Sequence, residues 1–428
     1  MKPVKVGLLG LGTVGTGVVR IVEGHQEDLH RQTGAAIQIE KILVKDRSKA
    51  RSVSIDADKV TLDPMDILNN PDIDVVVEVM GGITPTKDYI LEALSRGKHV
   101  VTANKDLMAL HGPEIMKKAE EKGCDVFYEA SVAGGIPIIR TLAEGFSSDR
   151  ITKIMGIVNG TTNYILSKMS QEGAAYADVL KEAQELGYAE ADPTSDVEGL
   201  DAARKMTILG TLGFNVNVAL SDVTVKGISQ VTKEDILYGK KLGYEVKLLG
   251  IAERTGDSIS VSVQPTMVKT THPLASVGGV FNAVYVYGEA VGETMFYGPG
   301  AGEMPTATSI VADLVAVVKN MGLGVNGRRG VAPYKEKKLK TDEEINSKNY
   351  ILLHVEDKAG VLARITQVFS AHDVSLESVL QHPNPTNPKA EIIIITHDAS
   401  QANMKKVLKD FESLDVIDKI KSVYRVEG

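Results

Sequence analysis

Along the first 130 residues, short apolar runs alternate with longer stretches of helical spacing. The runs fall at 4–9, 37–44, 75–79, 99–101 and 126–128, and helical patterns such as 86–95 and 113–122 lie between them. Strand, helix, strand in repetition predicts a doubly wound parallel sheet of the Rossmann type over 1–130. Continuous apolar strands suit such a sheet, because helices cover both of its faces. From 131 to 324 the pattern changes. Helices are predicted at 161–170, 176–186 and 198–212, then β-rich segments at 244–252, 258–264 and 283–290. That order predicts an α+β domain on one open sheet. A further helix is expected at 305–320, capped by Gly322 and able to return to the first domain. The polar, charged stretch 325–348 lacks apolar periodicity and reads as a linker. Over 349–428 the order strand, turn, helix, strand, strand, helix, strand predicts a small ferredoxin-like βαββαβ domain.

Composition narrows the function classes. With 428 residues, 43% hydrophobic and 24% charged, the chain has material for two or three globular domains. A net charge of −8 with no basic cluster argues against nucleic acid as a partner. The lone cysteine, Cys124, can form no internal disulfide and reads as a small buried apolar side chain. No stretch is read as a membrane span, and the apolar run at 4–9 is too short for a signal-peptide core. The cytoplasm is the expected compartment.

The strongest chemical signal follows the first strand. It runs into Gly10, Gly12 and Gly15 in G-x-G-x-x-G spacing, with Thr13 and Val14 inside the motif and a helical pattern after it. Strand before and helix after is the context in which this motif holds a dinucleotide. Gly10 permits the tight turn, Gly12 lets the backbone approach a diphosphate, and Gly15 lets helix and strand pack closely. The helix N-terminus presents free N–H groups to the anion. After the second strand, Lys45 and Arg47 favour the 2′-phosphate of NADP, while Asp46 keeps NAD open. Gly81 and Gly82 end a later strand at its carboxyl side, where ligands lie in such sheets. Gly302 and Glu303 precede the late helix and suit a return to the cofactor cleft.

Three further segments bring in a family. They are TANK at 102–105, NGTTN at 159–163, and GYAEADPTSDVEGLDAARK at 187–205. With the glycine fingerprint they resemble homoserine dehydrogenase over essentially the whole chain. The resemblance implies NAD(P)H-dependent reduction of L-aspartate 4-semialdehyde to L-homoserine, with 131–324 as the catalytic and dimerisation domain. It implies that Glu190 and Asp201 bind the substrate's polar groups, that Gly187 contributes backbone, and that Lys205 donates the proton. Lys105 then sits between nicotinamide and substrate, counted among the cofactor contacts and placed for proton relay or alkoxide stabilisation, and Thr102 lines the cofactor. Asp201 and Lys205 are four apart on a predicted helix and share one face. Which lysine delivers the proton stays open. Asp192, Asp196 and Glu198 read as caps and decoration of the helix beginning near Glu198.

The resemblance also implies a sodium ion held by Glu129, Val132, Gly134 and Ile136, through a carboxylate and backbone carbonyls. Oxygen-only ligation suits a hard cation. The segment 357–369 resembles the first loop and helix of ACT domains. That implies pairing into a homodimer or homotetramer and an amino-acid effector near Gly360, threonine by the logic of the pathway, or else a role in assembly alone. The domain is expected to be dispensable for chemistry, and the charged linker shows no rigid coupling for allostery. Two rival readings are a dehydrogenase of another amino-acid aldehyde and a non-catalytic NAD(P)-binding redox sensor.

Overall fold

The fold was analysed in a computed structural model that describes residues 2–327, 333–383 and 389–428. The chain divides into two compact units: Met1–Ile154 with Arg204–Ser221 and Phe281–Lys337, and Met155–Ala203 with Asp222–Val280 and Lys338–Gly428. The middle stretch expected as one domain is therefore shared between them, and the C-terminal βαββαβ segment groups with part of it.

In the first unit a six-stranded parallel sheet has the strands Val60–Thr61, Ile37–Leu43, Val4–Leu9, Val75–Glu78, His99–Thr102 and Val126–Phe127 in that spatial order. Chain order reverses beside Val4–Leu9, which pairs with Ile37–Leu43 on one side and Val75–Glu78 on the other. Ligands bind outside the strand ends at such a switch point. Val60–Thr61 is too short to register as an apolar run. The Thr13–Gly24 helix packs on this sheet, and the late helix, Glu303–Leu323, packs with it. Val18, Val19, Val22, Ala307, Ile310, Leu314 and Val318 share one core with strand residues Val6, Leu8 and Val77.

Two helices differ from expectation in instructive ways. The helix expected from Pro113 starts at Lys105 and runs to Lys122. Proline is favoured in a first turn, which makes Pro113 look like a start. The true start is set by Asn104, whose side chain accepts from Leu107 N at 3.0 Å. Only the bond to the Ala109 carbonyl is lost to Pro113, and burial of Met108 and Ile115 on either side carries the helix through. The late helix ends at Gly324, left-handed at φ 64°, rather than at Gly322. By length and composition it is also apolar enough to cross a membrane, which the sequence reading did not register. Its packing in the shared core identifies it as a core helix.

The second unit carries the long antiparallel pair Tyr244–Thr255 and Ser258–Lys269. It also carries the βαββαβ segment, with strands Ile417–Glu427, Asn346–Glu356, Lys389–Thr396 and Leu376–Pro383 adjacent in that order and all antiparallel. The helices Val361–Ala371 and Gln401–Glu412 cover one face through Ile365, Phe369, Val407 and Phe411. The other structural finding is at the edge. Ile417–Glu427 continues into Ser258–Lys269 by parallel pairing of Thr266 with Arg425, Met267 with Val426 and Val268 with Glu427. The C-terminal segment is thus joined to the rest of its unit by sheet pairing as well as through the linker. Of the linker expected at 325–348, residues 328–332 lie outside the described residues, as do 384–388 of the C-terminal domain. The rest of the linker is partly ordered by pairing: Lys338–Leu339 adds to Ser258–Lys269.

Candidate functional site

In the first unit the glycine motif sits at the carboxyl end of Val4–Leu9. Gly10 has φ 107°, and a Cβ there would lie 3.0 Å from the Val79 carbonyl oxygen. A Cβ on Gly15 would lie 2.3 Å from the Gly10 carbonyl oxygen, so turn and helix are in backbone contact. Gly12 has nothing within 4 Å of its Cβ position, and so faces open space. It is the N-cap of the Thr13–Gly24 helix, with no side-chain cap and no acidic residue in the first turn. The amides of Thr13, Val14 and Gly15 thus open onto a face that suits an anion. Gly17 lets the late helix approach: its Cβ would meet the Glu303 carbonyl oxygen at 2.7 Å. Glu303 also pairs with Arg20 at 2.9 Å. Gly302 is left-handed at φ 124°.

After Ile37–Leu43 the three charged residues differ in their commitments. Asp46 accepts from the amide and hydroxyl of Ser48, each at 2.7 Å, and these bonds hold its carboxyl below the usual range. Arg47 donates to the Val60 carbonyl at 2.9 Å. Lys45 is exposed, with no side-chain partner among the described residues.

Glu78 is a residue the sequence reading passed over. It is fully buried at the end of Val75–Glu78. Its carboxylate accepts from Met80 N at 2.7 Å, Gly81 N at 3.0 Å and the Thr102 hydroxyl at 2.5 Å. Burial pushes its pKa up, against these bonds. The knot shapes the loop in which Gly81 and Gly82, both left-handed, face open space. It also holds the Thr102 hydroxyl, which accepts from Asn104 N at 3.0 Å, in a buried position. Asn104 Nδ2 donates to the Gly82 carbonyl at 2.7 Å, tying this loop to the helix that Lys105 opens. Lys205 lies on the Leu200–Phe214 helix, next to Arg204, which pairs with Asp106 at 2.7 Å.

The Glu129–Ile136 loop is tied down by hydrogen bonds. Both carboxylate oxygens of Glu129 accept backbone amides, from Ile139 at 2.7 Å and Arg140 at 2.9 Å. The Gly134 carbonyl accepts the Ser309 hydroxyl at 2.7 Å, and the Ile136 carbonyl accepts Ile138 N at 2.8 Å. The Glu129 amide donates to Asp313, which pairs with Arg140 at 2.7 Å. Burial pushes the Asp313 carboxyl up to about 7. Each oxygen of Glu129 therefore braces a helix start with one lone pair and keeps another. Cys124 is buried and burial pushes its thiol up, as a packing role requires.

In the second unit Asp201 is 5% exposed, and Asn159 Nδ2 donates to it at 2.9 Å and to Asp196 at 2.7 Å. Asn159 is itself fixed as the N-cap of the Gly160–Glu172 helix by Thr162 N at 2.9 Å. Asp196 is thus drawn to Asp201 through one amide, where the sequence reading saw helix decoration. Asp192 does serve a turn, accepting from Thr194 N at 3.1 Å. The helix begins at Leu200. Gly187, left-handed at φ 76°, closes the Tyr176–Glu185 helix, and the following loop is held where the Thr161 hydroxyl donates to the Tyr188 carbonyl at 2.5 Å. Glu190 lies exposed in that loop.

Comparisons with known proteins agree along the whole chain. A family model described as "Homoserine dehydrogenase, NAD binding domain" matches residues 10–129, one described as "Homoserine dehydrogenase" matches 137–315, and an ACT domain matches 349–416. A homoserine dehydrogenase of Bacillus subtilis is 58% identical over 429 residues, covering 100% of this chain and 99% of that protein. The crystal structure of a homoserine dehydrogenase from Thiobacillus denitrificans superposes with a TM-score of 0.94 at 41% identity, covering 100% and 99% of the two chains. A hyperthermophilic archaeal homoserine dehydrogenase in complex with NADPH has a TM-score of 0.62 at 27% identity, covering 77% of this chain and 100% of that one.

Proposed function

The chain belongs to the homoserine dehydrogenase family, and from that premise we propose how its residues share the reduction of L-aspartate 4-semialdehyde to L-homoserine. The observation that carries the reading is the uncapped helix start over Gly12, open to an anion at the point where strand order reverses. Gly10, Gly12, Thr13, Val14 and Gly15 hold the diphosphate of a nicotinamide coenzyme. Gly81, Gly82, Gly302, Glu303 and Thr102 line the remainder. When bound, the coenzyme supplies the hydride that reaches the aldehyde carbon.

The carbonyl oxygen then gains charge and must take a proton. Lys205 donates it, and Lys105 stabilises the alkoxide or relays the proton. Glu190 and Asp201 bind the substrate's polar groups, with Gly187 contributing backbone. Asn159 keeps Asp201 oriented by donating to it. The test is single-site replacement in the full chain. Lys205→Ala should lose most of kcat with aspartate semialdehyde while binding coenzyme normally, and kcat of Lys105→Ala should also fall steeply. Wild-type kcat in either variant removes that lysine from the chemistry, and the more damaging of the two is the donor.

The coenzyme is NADP in preference to NAD. Of the three charged residues, Lys45 is exposed with no side-chain partner among the described residues, whereas Arg47 and Asp46 are engaged elsewhere. A related structure holding NADPH points the same way. A sodium ion at Glu129, Val132, Gly134 and Ile136 would be held by the lone pairs these oxygens keep beside the hydrogen bonds they accept. No chemical step passes through it. The ACT domain takes threonine near Gly360, whose Cβ position is open above the start of Val361–Ala371. The protein assembles as a homodimer or homotetramer in the cytoplasm.

A further inference from the structure

Lys105 stands between two residues that fasten it in different directions. Asn104 ties the helix start to the glycine loop through the Gly82 carbonyl at 2.7 Å. Asp106, in the same first turn, forms an ion pair with Arg204, Nε to Oδ1 2.7 Å. Arg204 directly precedes Lys205 in the Leu200–Phe214 helix. The pair therefore joins two helices at the residue adjacent to each lysine. Consecutive Cα atoms are about 3.8 Å apart, so fixing Asp106 and Arg204 fixes the roots of both lysines. The two side chains are 35% and 24% exposed, so salt screens them less than an open surface pair. Local pairs such as Arg96 with Glu92 lie within one helix and fix no distance between elements.

We propose that Asp106 and Arg204 are positioning residues that set the separation of Lys105 from Lys205 during the reduction. This rests on the reading that those two lysines act. Two ammonium groups repel, so a working separation has to be imposed on them from outside. A neutral pair rooted one residue away imposes it without adding net charge. Proton delivery works only within hydrogen-bond reach, and a displacement of about 1 Å can cost about a hundredfold in rate.

The test uses full-length Asp106→Asn, Arg204→Gln, Arg204→Lys and the reversed pair Asp106→Arg with Arg204→Asp, beside Lys105→Ala and Lys205→Ala. Asp106→Asn and Arg204→Gln should lower kcat by about tenfold to a hundredfold, with coenzyme Kd within about twofold of wild type. Arg204→Lys keeps the charge and should retain most of kcat, and the reversed pair should recover activity over either single variant. Full kcat in Asp106→Asn and Arg204→Gln, while the lysine variants are dead, overturns the proposal alone. Active lysine variants overturn the reading beneath it. Should Arg204→Gln fail to fold, Arg204→Lys and the reversed pair decide. Failure of both to restore kcat in folded protein, or loss of coenzyme binding in step with kcat, also overturns the proposal.

Discussion

Two glycines of one motif should fail in different ways when each is given a methyl group. A Cβ on Gly15 would lie 2.3 Å from the Gly10 carbonyl oxygen and 3.2 Å from its carbon, and backbone cannot swing aside as a side-chain tip can. Relief needs roughly 1 Å of separation between helix start and turn. Overpacking of that kind costs about 1–3 kcal/mol. The better helix propensity of alanine returns at most about 1 kcal/mol, less in a first turn. Gly15→Ala should therefore be destabilised by about 1–2 kcal/mol without ligand and should bind NADPH and NADH more weakly by similar factors, since both share the diphosphate. Gly12→Ala is the counterpart. Its φ is −86°, open to alanine, and nothing lies within 4 Å of the new methyl. The apo protein should keep its stability, while the methyl occupies the space a diphosphate needs. Urea unfolding of the apo protein and fluorescence titration with both coenzymes separate the two. Normal coenzyme affinity in Gly12→Ala would place the diphosphate elsewhere, and undiminished stability in Gly15→Ala would refute the contact argument.

Two other outcomes follow from single residues. Lys45→Ala should raise the KM for NADPH several-fold and leave NADH nearly unchanged, an effect that fades at high salt; equal losses would make Lys45 structural. Asp313 has its carboxyl raised by burial to about 7, so the folded state favours its proton: that contribution to stability is present at low pH and lost as pH rises through about 7. The urea midpoint of the apo protein should fall across that range, and Asp313→Asn should flatten the fall. An identical pH slope in the variant would remove Asp313 as its source.

What the sequence made legible was whatever depends on near neighbours. The parallel-sheet pattern, the glycine fingerprint and the βαββαβ order each rest on local periodicity or on a motif in its flanking context. What stayed hidden depends on residues distant in the chain. Glu78 is a carboxylate ending an apolar strand, and only the fold shows it organising the loop of Gly81 and Gly82. The convergence of Asn159 on Asp196 and Asp201 joins residues about forty positions apart, so Asp196 resembled a local cap. The start at Lys105 had a readable signal in Asn104, outweighed by Pro113. The bracing of the Ile139 and Arg140 amides by Glu129 likewise has no trace in spacing.

The attachment of the C-terminal domain changes what its removal should do. From sequence, a chain ending near residue 345 is expected to keep its kcat. The structure gives the last strand four ties to the rest of its unit. It extends the sheet alongside Ser258–Lys269. Arg425, 8% exposed, pairs with Glu253 at 2.7 Å. The Tyr424 hydroxyl donates to Asp235, itself fully buried, at 3.1 Å. Lys226 donates to the Val423 carbonyl at 2.9 Å. Truncation bares one edge of Ser258–Lys269 and takes a partner from each of Glu253, Asp235 and Lys226. Removing one member of a buried ion pair costs about 3–5 kcal/mol, because the other charge is left behind. Full-length Arg425→Ala should then be destabilised by about that amount, with coenzyme binding unaffected because the contacts proposed for it lie within the other unit. The truncated chain should be less stable still and should lose activity through unfolding rather than through loss of regulation. A chain ending at 345 with full kcat and an unchanged urea midpoint would show that these ties bear little of the load. The same ties give an effector a physical route, since any ligand that shifts Ile417–Glu427 must also disturb Asp235 and Glu253.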